Sequence, residues 1–296
     1  MATPPPFVTI LGSLHYDITV QGPGRPRKGE TVTGVSWAPK CGGKGGNQAV
    51  AVARAGGSSV MIGAVGADDF GKTLLANLDR RGVDRQLVCV VPGAGSGMSV
   101  AIFDAEGDYG AVIVSGANLS LGAANAAAAS DRLAATAILV LQNETPEAAS
   151  IAAARIVRHN GGRVILNAAP ARALSDDLLA LVDILVVNTI EAEFLAGGPL
   201  AASLAEALAA ATRLTAMVPS AIVTAGGAGV AYSDRHGLGL TLTAEPIEVR
   251  STHGAGDEFV GTLAAALASG TAIEAALQSA NHAAAVLVAT PEDQRT

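Results

Sequence analysis

Aromatic residues are scarce in this chain of 296 residues, which has one Trp, three Tyr and five Phe. Its interior must therefore be built from Ala, Val and Leu. Charge is also thin, at 15% of residues, with 19 basic against 26 acidic groups and a net charge of −7. No block of like charge occurs, which argues against nucleic acid or an anionic membrane as partner. An acidic balance does not exclude a phosphorylated ligand, because local amides and one or two cations set such a site. Cysteine occurs twice, at Cys41 and Cys89. Two thiols cannot hold a metal cluster; they suit a reducing compartment, with a single disulfide left open. Although 50% of residues are hydrophobic, no apolar run is long enough to span a bilayer. The opening Met1-Ala2-Thr3-Pro4-Pro5-Pro6 lacks the basic and apolar regions of a signal peptide. The expected location is the cytoplasm, and the length suffices for a large core in one or two domains.

Short apolar runs alternate with longer helical patterns. Strands are predicted over 7–11, 60–65, 137–141, 164–166, 184–187 and 221–224, with helices over 47–55, 70–81, 146–159, 204–217 and 257–268. This alternation implies parallel βαβ units in a layered α/β domain. Ligands in such sheets gather at the carboxyl ends of the strands. Asp17, Glu144, Asn167, Asn188 and Thr224 all follow apolar runs. Two stretches break the pattern. Residues 18–37 carry Gly, Pro and β-branched residues without helical period, and 98–114 alternate around Glu106-Gly107-Asp108, a hairpin signal. Taken alone, they could form an antiparallel edge of the main sheet. The alanine run 123–129 reads as a helix without chemistry.

Two glycine-rich segments carry the functional signal. In Ser251-Thr252-His253-Gly254-Ala255-Gly256-Asp257-Glu258-Phe259, small residues precede a carboxylate that opens an apolar helix. Small residues let the main chain approach a ligand, and free amides at a helix start attract anions. Asp257 is then either an N-cap or a base beside a bound phosphate. The second segment, Cys41-Gly42-Gly43-Lys44-Gly45-Gly46-Asn47-Gln48, also runs into an apolar helix. A third, Gly66-Ala67-Asp68-Asp69-Phe70-Gly71-Lys72-Thr73, fits the P-loop spacing and is a rival phosphate site. Asp68 and Asp69 would put negative charge where cations are wanted.

Together these segments resemble the ribokinase (PfkB-type) family of sugar kinases over nearly the whole chain. The likeness includes Gly12-Ser13-Leu14-His15-Tyr16-Asp17, Gly29-Glu30-Thr31-Val32-Thr33-Gly34 and Leu141-Gln142-Asn143-Glu144-Thr145-Pro146. It continues through Leu166-Asn167-Ala168-Ala169-Pro170-Ala171, Asn188-Thr189-Ile190-Glu191-Ala192-Glu193 and Thr224-Ala225-Gly226-Gly227-Ala228-Gly229-Val230. The resemblance implies a three-layer α/β/α sandwich with a mostly parallel central sheet and a small β lid. Residues 1–12, 41–96 and 118–296 would form the core and 13–40 with 97–117 the lid, which family members often pair to make a homodimer.

It also implies ATP as phosphate donor and a primary sugar hydroxyl as acceptor, most simply that of ribose. Asp257 would be the base and the amides of Gly254, Ala255 and Gly256 the anion hole. Asp17, Gly42, Gly43, Lys44, Asn47 and Glu144 would hold the sugar. Thr224, Gly226 and Gly229, with Asn188, Asn281 and His282, would meet the nucleotide. Asn188 and Glu191 would grip Mg²⁺ through water. The family likeness accounts for the 66–73 segment without an ATP role. Two other readings stay open: a nucleoside kinase, disfavoured by the scarcity of aromatics, and a sugar-binding paralogue with weak catalysis. Ser251 stands where relatives have an Asp that helps hold an activating monovalent cation, and the sequence ends at Thr296, before the loop that completes that site. Both departures predict weak or absent activation by potassium. His253 and Glu258 are also unusual neighbours of the signature.

Overall fold

The structure is a computed structural model and describes residues 5–104, 106 and 109–295. The strands are β1 (Phe7–Leu11), β2 (His15–Gln21), β3 (Ser36–Gly42), β4 (Ser58–Gly66), β5 (Asp84–Val91), β6 (Gly97–Phe103), β7 (Tyr109–Val114), β8 (Ile138–Gln142), β9 (Arg163–Asn167), β10 (Ile184–Asn188), β11 (Ser220–Thr224), β12 (Gly229–Asp234) and β13 (Gly239–Thr243). The helices are α1 (Lys44–Arg54), α2 (Asp69–Arg80), α3 (Ala123–Ala128), α4 (Ser130–Ala134), α5 (Glu147–His159), α6 (Asp176–Leu179), α7 (Thr189–Ala196), α8 (Leu204–Leu214), α9 (Ala255–Ala268) and α10 (Ile273–Ala289).

Nine strands form the main sheet in the order β13-β12-β11-β10-β9-β8-β1-β4-β5. All its pairings are parallel except β11 with β12 and β12 with β13. The strands are short β-branched and Leu runs buried on both faces, as a sheet covered by crossover helices requires. Period two divides the side chains. Val8, Ile10, Ile138 and Val140 enter one core with α1, α2, α9 and α10. Leu11, Leu139 and Leu141 enter another with α3 to α8. The result is the α/β/α sandwich.

Chain order reverses beside β1. From there β4 and β5 extend the sheet one way, while β8 to β11 extend it the other. The gap beyond the β1 and β8 ends is a topological switch point. Ser13 and Glu144 flank it, and the Ser13 hydroxyl donates to the Glu144 carboxylate.

Residues 18–37 and 98–114 do not extend the main sheet. They contribute to a separate four-stranded sheet, β3-β2-β6-β7, in which β2 runs parallel to β6. The predicted turn at 106–108 includes Gly107 and Asp108, which lie outside the described residues, as do residues 1–4 of the opening segment. Buried polar ties hold the small sheet's roots. Asn118 accepts from the Leu14 amide at 2.9 Å and donates to the Leu14 and Ser115 carbonyls, each at 2.9 Å. Asp68 accepts from the amide and hydroxyl of Ser96 at 2.7 and 2.6 Å. Among the described residues, no helix is long and apolar enough to cross a membrane. Cys41 and Cys89 are both free, which closes the disulfide alternative.

Candidate active site

Two helix starts meet at Asp257. α1 begins just after Gly43, whose φ of 85° lies in the left-handed region. A Cβ at Gly45 would stand 2.6 Å from the Gly12 carbonyl carbon and the Ser13 nitrogen, so only glycine lets this turn pack against the end of β1. α9 begins after Gly254, again left-handed at φ 80°. The helices then touch at Gly261, where a Cβ would lie 2.4 Å from that of Ala51 and 2.7 Å from the Gln48 oxygen. This close crossing, nearly two turns into each helix, brings their tips together. Asn47 Nδ2 donates to Asp257 Oδ2 at 3.0 Å, and Gln48 Nε2 donates to Oδ1 at 2.9 Å.

Asp257 is therefore not a simple N-cap. The cap position is Gly254, and both Asp257 oxygens point across to α1. Its side chain is buried, and this burial raises the carboxyl pKa against the opposing pull of Lys44, Asn47 and Gln48. Among the described residues, the amides of Gly254, Gly256 and Asp257 have no acceptor in the protein, whereas Ala255 N makes a long 3.3 Å bond to the Thr252 carbonyl. The turn thus offers main-chain donors to an anion, with Ala255 the least free of the expected three.

The 42–47 loop collects the other expected sugar ligands. Glu144 Oε2 accepts from the Lys44 amide at 2.9 Å, and Asp17 Oδ1 accepts from Ser99 Oγ at 2.5 Å. The other Asp17 oxygen lies over Gly42, where a Cβ would be 1.9 Å away. The Lys44 side chain acts electrostatically on both Asp257 and Glu191.

Two cavities open on Asp257. One, of about 640 Å³, lies between β3 at 38–41, α2 and the turn before α9 and is lined by Asn47 and His253; Asp17, Gly42, Gly43 and Glu144 are not among its lining residues. The other, about 750 Å³, runs from Lys44, Asn188 and Glu191 past Thr224, Gly226 and Gly229. It ends among apolar residues including Pro246, Ile247 and Val249. Asn281 lines it while donating to the Thr243 carbonyl at 3.0 Å. His282 is a correction to the sequence reading. It does not line this cavity; its Nδ1 lies 2.9 Å from Glu245 at the surface. Consecutive helical residues point about 100° apart, so a helix presenting Asn281 to the cavity turns His282 aside.

Asn188 and Glu191 cap each other at the start of α7, each side chain accepting from the other's amide at 2.8 Å. Burial raises the Glu191 pKa, opposed by the Asn188 amide and Lys44. Only one Glu191 oxygen is used in the box. Among the described residues no group of three metal-ligating side chains occurs. The donor set fits a hard cation held through water and phosphate oxygens, not a protein cage. It does not fit a bound monovalent cation beside Ser251. The Ser251 hydroxyl donates to Glu292 at 2.5 Å, and Arg295 takes the carbonyls of Ser251 and His253.

The P-loop rival at 66–73 fails. Asp68 caps α2 by accepting from Gly71 N at 2.7 Å, so its own carboxylate fills the turn. Lys72 is exposed and pairs with Asp69 at 2.8 Å. Sequence reasoning missed two contributors, Gln48 and Ser13. Gln48 lies directly after the glycine motif and is anchored in turn by Gln142 Nε2 at 2.7 Å. No local signal marks either residue, since each pairs with a partner far along the chain.

A model of the pfkB family of carbohydrate kinases matches residues 6–296. Ribokinase of Haemophilus influenzae is 34% identical over 281 residues, covering 95% of this chain and 92% of the relative. Ribokinase of Bacillus subtilis is 36% identical over 282 residues with the same coverage. Among solved structures, Arabidopsis thaliana ribokinase complexed with ribose and ATP aligns with a TM-score of 0.91 at 28% identity, over 97% of this chain and 93% of that one. The chain belongs to the pfkB family of carbohydrate kinases.

Proposed function

We propose that the protein is an ATP-dependent ribose kinase that transfers the γ-phosphate to the sugar's 5-hydroxyl. The observation that carries this reading is the buried Asp257 carboxylate, fixed by Asn47 and Gln48 at the meeting point of two cavities. The kinship with ribokinases supports it.

The sugar lies against Asp17, Glu144, Asn47 and the amides of Gly42 and Gly43, where carboxylates accept from hydroxyls. Asp257 takes the proton of the 5-hydroxyl as its oxygen attacks the γ-phosphorus. The bond from phosphorus to the ADP oxygen breaks, and charge on the transferred group meets the amides of Gly254, Ala255 and Gly256. Lys44 adds a cation on the phosphate side. Thr224, Gly226 and Gly229 line the way for the remaining phosphates and ribose, with Asn281 at the base's edge. Magnesium, when bound, neutralises phosphate charge; Asn188 and Glu191 would hold it through water. The small sheet acts as a lid over the sugar and excludes water from the phosphate.

The lid's outer side is also a dimer surface in this reading. Trp37 and Val112 share the face turned away from Asp17 and Ser99 and are 67% and 68% exposed, an apolar display that a second copy would cover. The two free thiols suit the cytoplasm.

Asp257→Asn tests the core of the proposal. It is expected to lower turnover by roughly 10²–10⁴, the scale of a lost positioned base. ATP consumption is read with ribose, deoxyribose, fructose, adenosine and pseudouridine in turn. Near-normal turnover in the variant, or no preference for ribose in the native protein, overturns the assignment.

A further inference from the structure

The turn that precedes α9 is held from outside chiefly by the side chain of Arg295. Arg295 is 8% exposed. Its Nη1 donates to the His253 carbonyl at 2.7 Å, its Nη2 to the Ser251 carbonyl at 2.8 Å and its Nε to the Thr290 carbonyl at 3.0 Å. Its own carbonyl accepts from Arg81 Nη2 at 3.3 Å. The guanidinium is a rigid fork of donors, and all three of its nitrogens are engaged.

Two of these carbonyls belong to the 251–254 turn. In a helix begun one turn earlier, the Ser251 carbonyl would receive the Ala255 amide and the His253 carbonyl the Asp257 amide, by the i to i−4 rule. Arg295 occupies both. The Asp257 amide is left without a partner and that of Ala255 with only a long one. The remaining ties are few: Arg250 N and Ser251 N reach the Val288 carbonyl at 2.9 and 3.3 Å, Ser251 Oγ reaches Glu292, and His253 N donates to Ser251 Oγ at 3.3 Å.

We propose that Arg295 is a positioning residue for the anion-binding turn, a tethered cation that engages the turn's carbonyls and so keeps its amides aimed at the phosphate. It touches neither substrate and acts through residues 251–257. Its effect on turnover rests on the kinase reading; its effect on the turn does not.

The test compares the native protein with Arg295→Ala and Arg295→Lys. Amide hydrogen exchange is followed in the peptide covering 249–258, with main-sheet peptides as the folding control. Kinetics are run with ATP and ribose in guanidinium chloride or tetramethylammonium chloride at equal ionic strength. In R295A, the Arg250 and Ser251 amides should exchange about tenfold faster, the weight of a lost charge-assisted bond, while main-sheet peptides keep the native rate. Turnover should fall about tenfold or more with the KM for ribose unchanged, and guanidinium alone should restore it several-fold without affecting the native enzyme. If R295A fails to fold, R295K decides, since one ammonium cannot serve a three-carbonyl fork: faster exchange at the turn supports the proposal. Native exchange in a folded variant overturns it, as does the absence of guanidinium rescue in a folded R295A that has lost turnover. A native protein inactive on every sugar would sink the kinase reading, and the exchange result would still decide the role of Arg295.

Discussion

At the scale of single residues, Asp257 shows a tension between function and stability. Burial raises its pKa above the ordinary 3.8. A carboxyl whose folded pKa exceeds its unfolded value contributes stability that is complete below the unfolded pKa and lost as pH rises through the folded one. At working pH the charged side chain is thus a stability cost, but also a stronger base. Turnover should fall as acid protonates it, with the acid limb of the kcat profile above pH 3.8. A limb at or below that value would mean that the group is solvated in the working enzyme. A second expectation belongs to Ser251 and Arg295. With the turn's carbonyls already taken by a guanidinium, added potassium at constant ionic strength should change the rate by less than about twofold; a several-fold rise would contradict this. The glycine turns and Asp257 were legible because small residues before an apolar run leave few readings. Gln48, Ser13 and Arg295 were not, because each acts on a partner dozens to more than a hundred positions away, and nothing local marks that pairing.

At the scale of elements, the contact of α1 with α9 sets the site. It depends on Gly261, the one place where the two backbones approach within the reach of a missing methyl. Gly261→Ala should cost about 1–3 kcal/mol by overpacking and should lower kcat more than it changes the KM for ATP. Thermal unfolding and steady-state kinetics measure the two effects, and an unchanged Tm would mean that α9 simply shifts. The six strands anticipated from apolar runs are all present, because strands buried on both faces announce themselves. β5, β12 and β13 escaped notice: β5 and β13 lie at the sheet's edges and mix exposed with half-buried positions, and β12, though buried, opens on Gly229 and mixes Tyr232 and Ser233 with its apolar residues. The 66–73 segment shows how a spacing can mislead. Its carboxylate ties the root of the small sheet at Ser96, where the spacing alone suggests phosphate binding.

At the scale of the whole molecule, the sheet's switch point, the two cavities and the small sheet all converge on one end of the central strands. If the exposed face of the small sheet pairs two copies, replacing Trp37 and Val112 with Ser should convert a dimer to a monomer in sedimentation. A native protein that is monomeric at micromolar concentration would exclude that pairing. The poverty in aromatics then acquires a practical meaning. Trp37 is the chain's only tryptophan and stands 67% exposed on the small sheet, away from either core. Indole emission excited at the red edge therefore reports on that sheet alone. The proposed closure on sugar, and the proposed pairing of two copies, can be tested by stopped flow in the unlabelled native enzyme.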